Sequence, residues 1–206
     1  FLTNRSSGKM GVALAVQAAR RGAVVALVHG PLRVAVPTVP GLTSVAVRSA
    51  AQMHKETVAR AARADAALLC AAVADARPRV VATKKLKKTE GELGSIELLP
   101  TRDILAALGA ARKKRKAKRP ILVGFAAETG DVARYARAKL ERKGCDLVCA
   151  NDVSEQGSGF DVETNRVLLV QKDSEQWLPS LTKVEAAWRI LDVVRGLLAP
   201  APRSRR

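Results

Sequence analysis

The sequence predicts an α/β fold: a Rossmann-like, mostly parallel sheet with helices on both faces, plus a C-terminal hairpin and helix. Three observations carry this. Short apolar or β-branched runs alternate with amphipathic stretches of helical length, the pattern of βαβ units in which a crossover helix joins parallel strands. Polar, glycine-containing or basic segments follow the strand-like runs, where sheets of this kind bind ligands. The 206 residues are 48% apolar, enough for one domain with a substantial core.

Taken in order, Phe1 to Thr3 read as the tail of a strand, and "NRSSGKMG" as a loop entering a helix with Ser6 or Ser7 as its N-cap. "VALAVQAARRGA" continues that helix. "AVVALVHG" (23–30) ends at Gly-Pro as a buried strand does, and "TSVAVR" (43–48) is a second strand. Ser49 caps a helix over 49–64 with alanines and Val58 on one face. "AALLCAAVA" (66–74) reads as a central strand buried on both faces. "SIELLP" (95–100) is a weaker strand, followed by the helix "TRDILAALGAA", and "PILVGFAAET" (120–129) is a strong strand. "DVARYARAKLERKG" (131–144) is an amphipathic helix closing at Gly144, a usual residue just past a helix end. "CDLVCAN" is another strand. "RVLLVQ" and "EQWLP" form a hairpin, and "LTKVEAAWRILDVVRGLLA" is the terminal helix.

Composition narrows the function classes. The net charge of +17 invites a nucleic-acid reading, but much of it lies in "RKKRKAKR" (112–119), "KKLKK" (84–88) and the terminal "RSRR", and aromatics make up only 3% of the chain. The first and last clusters read as a solvated loop and a frayed tail, so no nucleic-acid partner is expected, sequence-specific binding least of all. Cys70, Cys145 and Cys149 lack CxxC spacing and sit in or beside apolar runs, which predicts buried free thiols; with only His29 and His54, a zinc centre has no support. No apolar run of ~18 residues and no cleavable leader is visible, which predicts a cytoplasmic protein without membrane contact. A dinucleotide-dependent oxidoreductase is discounted, because no GxGxxG follows a strand.

The segment from Asn4 to Lys9 has a chemistry of its own. A helix N-terminus presents unpaired N–H groups and about half a positive charge, so it suits phosphate. "SSGK" lacks P-loop spacing, however, and a plain capping loop fits these residues equally well.

Five segments, "TNRSSGKMGVALAVQAARRGAVVALVHGP", "AAVADARP" with "KKLKK", "VGFAAET", "AKLERKGCDLVCAND" and "GFDVETNRVLLV", occur in an order that closely resembles the phosphopantothenoylcysteine synthetase domain of bacterial coenzyme A biosynthesis. The resemblance covers nearly the whole chain and implies a ligase domain over 1–200 with a basic disordered tail at 201–206. That domain is usually the C-terminal half of a bifunctional flavoprotein, so FMN is implied only where a decarboxylase domain precedes it. The implied reaction activates 4′-phosphopantothenate with CTP and Mg²⁺ as an acyl-cytidylate, from which L-cysteine displaces CMP. A homodimer is implied, built by the 165–180 hairpin. Within the family the alternative is an ATP-using ligase; outside it, a non-catalytic basic nucleic-acid-binding module acting through 112–119.

Residue by residue, the resemblance assigns Asn4 to the acyl group and phosphate of the intermediate, and Ser6, Ser7, Gly8 and Lys9 to a triphosphate-binding helix start. Asp75 matches a nucleotide-site aspartate acting through the metal or the base, with Cys70 and Ala71 beside it. Lys85 matches the catalytic lysine, followed by a flap at Lys87–Gly94. Asp103, Ile104, Phe125, Lys139 and Lys143 match the remaining nucleotide contacts. Read without the resemblance, Lys139 and Lys143 form a solvated helix face, Phe125 is core, and Asp103 belongs to a helix N-cap. Two departures stand out. Ala76 replaces a common aromatic, and the family's first strand and "GGT.E"-like turn do not precede Asn4 here, which puts the activity of residues 1–206 alone in question.

Overall fold

The computed structural model describes residues 6–81, 83–84, 95–152 and 164–199; Asn4, Lys85, the expected flap and the C-terminal tail lie outside them. The elements are α1 (Lys9–Arg20), β1 (Val25–His29), β2 (Leu42–Ala46), α2 (Ala50–Ala61), β3 (Ala66–Leu69), β4 (Ala76–Pro78), β5 (Leu98–Pro100) and α3 (Ile104–Lys114). There follow β6 (Ile121–Glu128), α4 (Val132–Lys143), β7 (Leu147–Asp152), β8 (Thr164–Asn165), β9 (Leu168–Val170), β10 (Glu175–Trp177), β11 (Leu181–Thr182) and α5 (Lys183–Leu198).

The longest apolar runs make the centre. β6 and β7 pair in parallel, β3 joins the outer side of β6 in parallel, and the order of the five-stranded sheet is β10-β9-β7-β6-β3. β9 and β10 run antiparallel, since the short connection at 171–174 can return the chain only that way. Alternation decides which face each side chain serves. Ile121, Val123, Leu147, Cys149 and Leu169 point to a cluster completed by Leu14 of α1 and by Ile190 and Val194 of α5. Val148, Ala150, Leu168 and Val170 point the other way, to Ala136 and Leu140 of α4. Leu122 on that second face meets Met53 of α2 and Leu105 and Leu108 of α3. Leu122, Leu147 and Ile190 are fully buried, each contributing roughly 1.5–3 kcal/mol relative to exposure.

Among the described residues the expected single sheet is a mixed one with satellites, and the strand tail expected at Phe1–Thr3 lies outside them. β1 and β2 form a parallel pair, and β4–β5 and β8–β11 are antiparallel pairs. The expected strand over 66–74 stops at Leu69: Thr101 Oγ1 donates to the Ala74 carbonyl at 2.6 Å and the Thr101 N–H to the Asp75 carbonyl at 2.8 Å, drawing the chain off the sheet towards β5. Ser49 caps α2 as expected, its Oγ accepting from the Gln52 N–H at 3.2 Å, and Gly144 closes α4 at φ 62°. The expected serine cap of α1 is corrected. Gly8 holds the N-cap position at φ 81°, a left-handed conformation that side-chain-bearing residues adopt at a cost. Ser6 Oγ instead accepts from the Gly8 N–H at 3.3 Å, and Ser7 Oγ from the Lys9 N–H at 3.5 Å. The basic run is corrected too: its first three residues extend α3, and only the rest is loop.

Candidate nucleotide site

The carboxyl edge of the sheet collects the polar residues. β3 ends beside Cys70, β6 at Glu128 and β7 at Asp152. The carbonyl of Leu198, the last residue of α5, accepts from Arg119 just before β6 begins, so α5 starts at the opposite, carboxyl edge. Cys70, Phe125 and Met10 in the first turn of α1 pack against the same apolar cluster.

At the loop before α1, Ser7 is 4% exposed, and the first turn of α1 contains no acidic residue to offset the positive end of the helix. Ser6, Gly8 and Lys9 surround it, and a side chain on Gly8 would run into Leu32.

A second group forms where α3, β6 and α4 meet. Asp103 caps α3, Oδ1 accepting from the Ala106 N–H at 2.8 Å, while Lys143 Nζ donates to Oδ2 at 2.5 Å. Lys139 Nζ donates to the Phe125 carbonyl at 2.5 Å. Partial burial pushes the Asp103 carboxyl up, but the Ala106 N–H and the two lysines outweigh it and hold it below the usual carboxylate range. Burial holds the Lys139 ammonium below its ordinary value, against the pull of Glu128. Both lysines are half-buried and bonded, so the solvated-face reading fails for them. The Phe125 side chain packs against the core, as its residue type alone predicts, and its carbonyl is taken by Lys139. The Ile104 side chain is buried among α2 and α3 residues, which leaves only its backbone for a ligand.

Near β3, Ala71 and Asp75 are exposed. Burial pushes the Cys70 thiol up to about 12 despite the Lys183 ammonium, which keeps it neutral. All three cysteines are free, as expected. Among the described residues no group of three or more His, Cys, Asp or Glu could hold a metal, and no helix is long and apolar enough to cross a membrane. One exposed carboxylate, Asp75, fits Mg²⁺ held mainly by substrate phosphates and water.

Lys183 was not singled out by the sequence reading. It is 6% exposed, in the first turn of α5, beside Cys70 at the candidate edge. The available signal was a cation directly after the N-cap of a Thr-x-x-Glu capping box, where the helix dipole disfavours positive charge.

Residues 1–197 match the DNA/pantothenate metabolism flavoprotein C-terminal domain family. The coenzyme A biosynthesis bifunctional protein CoaBC of Vibrio parahaemolyticus is 43% identical over 199 residues, covering 96% of this chain and 48% of that protein. CoaBC of Escherichia coli is 42% identical over 196 residues, covering 94% and 47%. The chain thus spans about half the length of the curated relatives it matches. Among solved structures, the C-terminal domain of CoaBC superposes with a TM-score of 0.77 at 38% identity, covering 96% of this chain and 86% of that one.

Proposed function

The chain belongs to the DNA/pantothenate metabolism flavoprotein C-terminal domain family, and from that premise we propose that it joins 4′-phosphopantothenate to L-cysteine at the expense of CTP. The observation that carries the reading is the 43% identity to a coenzyme A biosynthesis protein; the fixing of Lys139 by the Phe125 carbonyl and of Lys143 by Asp103 supports it.

The chemistry asks one anion to attack another. The substrate carboxylate forms a bond to the α-phosphorus of CTP, the bond to pyrophosphate breaks, and an acyl-cytidylate remains. The cysteine amine then attacks the acyl carbon, CMP leaves, and the amine loses a proton to solvent. Such a reaction needs charge neutralisation and positioning rather than a covalent nucleophile. The start of α1 with Lys9 holds the triphosphate. Lys139 and Lys143, fixed through the Phe125 carbonyl and Asp103, place positive charge beside the nucleotide. Asp75 would be the residue to hold Mg²⁺, which would supply further neutralisation of the phosphates. Lys85 stabilises the charge that builds during attack, and Asn4 holds the intermediate; both roles rest on the resemblance.

The test is pyrophosphate release from CTP and 4′-phosphopantothenate. CTP is expected to exceed ATP by at least about tenfold in kcat/KM, about 1.4 kcal/mol of differential transition-state binding. Lys85→Gln should lose a factor on the order of 10² in pyrophosphate release without cysteine, the effect of removing one preorganised donor. Asn4→Asp should keep part of that release and fail in amide formation. Equal rates with both nucleotides would overturn the choice of CTP. Parent-rate release by Lys85→Gln, or equal failure of Asn4→Asp in both assays, would overturn the division of roles.

A further inference from the structure

The basic run 112–119 takes no part in the site, and its geometry divides it in two. The two end residues are structural. Arg112 pairs with Asp146 and donates to the Gly144 carbonyl at 2.6 Å and the Pro120 carbonyl at 3.0 Å. Arg119 pairs with Asp65 and donates to the Leu198 carbonyl at 3.3 Å. Between these anchors Lys113, Lys114, Arg115, Lys116 and Lys118 are all exposed, and their side chains have no ion-pair or hydrogen-bond partner among the described residues. The chain reverses at Lys116, which adopts φ 51°.

Helix electrostatics account for part of this. Lys113 and Lys114 lie in the last turn of α3, where the dipole favours cations. Arg115, Lys116 and Lys118 lie beyond it. Like charges crowded on a chain of net charge +17 repel one another, and the acids on which this turn is mounted, Asp65 and Asp146, are taken by the anchors. The turn is thus held in place by its ends and presents five cations without a partner among the described residues.

We propose that this turn is a docking point for the phosphate backbone of duplex nucleic acid, bound without regard to base sequence. Two features favour that partner. A protein interface is organised around buried apolar or aromatic anchors, and the only apolar residue from 113 to 118 is Ala117. Single strands are held by bases stacked on aromatic rings, and the turn has none; that lack excludes stacking and leaves phosphate contact intact. Because Arg119 lies just before the first residue of β6, the turn is at the amino edge of the sheet. The proposal stands independently of the ligase reading.

The experiment is fluorescence anisotropy of the chain with a labelled mixed-sequence DNA duplex of about 20 base pairs across about 50–200 mM salt, with polyglutamate as a competitor of equal charge. If the five cations neutralise five phosphates, log affinity falls against log salt with a slope near −4.5, several-hundred-fold over that range. Two duplexes of unrelated sequence should bind alike. Replacing all five by glutamine (Lys113→Gln, Lys114→Gln, Arg115→Gln, Lys116→Gln, Lys118→Gln) should flatten the slope and weaken low-salt binding on the order of 10²-fold, with the melting temperature kept as a folding control. Three outcomes would overturn the proposal: no duplex binding by the parent at low salt, parent-like affinity and slope in the glutamine variant, or displacement by polyglutamate as effective as by unlabelled duplex, which would point to an acidic protein.

Discussion

Asp103 illustrates how one side chain serves the fold and the candidate site together. Its two oxygens are divided, Oδ1 to the Ala106 N–H and Oδ2 to Lys143. Because its folded carboxyl titrates below its unfolded value of about 3.9, the stability it contributes is complete above that pH and is lost as pH falls through the lower folded value. Asp103→Asn keeps the cap and removes the charge. Thermal unfolding from pH 7 to pH 2 should therefore show the parent more stable at pH 7 and the gap closing below about pH 4; a gap that stays constant to pH 2 would mean the Lys143 pairing adds nothing. Asp103→Ala, which removes the cap as well, should cost about 1 kcal/mol more at pH 7.

At the scale of elements, the position of α4 depends on one glycine in its neighbour. Gly109, midway along α3, lies against the Lys143 carbonyl so closely that an added methyl group would overlap backbone atoms. Alanine is the better helix former by about 1 kcal/mol, so an isolated helix would gain from Gly109→Ala. In the folded chain the overlap should dominate, since the atoms it meets are backbone and overpacking costs about 1–3 kcal/mol. The expected result is net destabilisation in thermal melts together with a raised KM for CTP, because pushing α3 from α4 separates Asp103 from Lys143. A variant as stable as the parent would show that the two helices slide apart freely. α5 shows the opposite case, an element whose start is written locally: Thr182 and Glu185 form a reciprocal capping box, the Thr182 N–H donating to Glu185 Oε2 at 2.9 Å and the Glu185 N–H to Thr182 Oγ1 at 3.2 Å.

Over the whole molecule, stability concentrates where both faces of the sheet are covered. Leu122, Val123, Leu147 and Val148 are completely buried between helices, while no described residue of β1, β2 or β4 is. Native-state hydrogen exchange should find the slowest amides in β6 and β7 and faster exchange in the less buried β1–β2 and β4–β5 pairs; equal protection of β1 and β6 would contradict it. The alternation of apolar runs with helical patterns was sufficient for the fold class, because period and length are local properties of the chain, and Ser49, Gly144 and the final helix were legible for the same reason. The resemblance of Asp103, Phe125, Lys139 and Lys143 to a nucleotide site was also legible, but not that Lys143 bonds Asp103, 40 residues away in sequence, or that Lys139 reaches the Phe125 carbonyl. Spacing on one helix shows which residues share a face, never what that face meets. The same limit explains the serine caps assigned to α1 where Gly8 stands and the strand drawn through 66–74 where Thr101 pulls the chain aside. Local chemistry determined which elements form; burial, long-range pairing and the close approach of α3 to α4 decided where they end and which charges they bring together, because those energies arise only when distant segments touch.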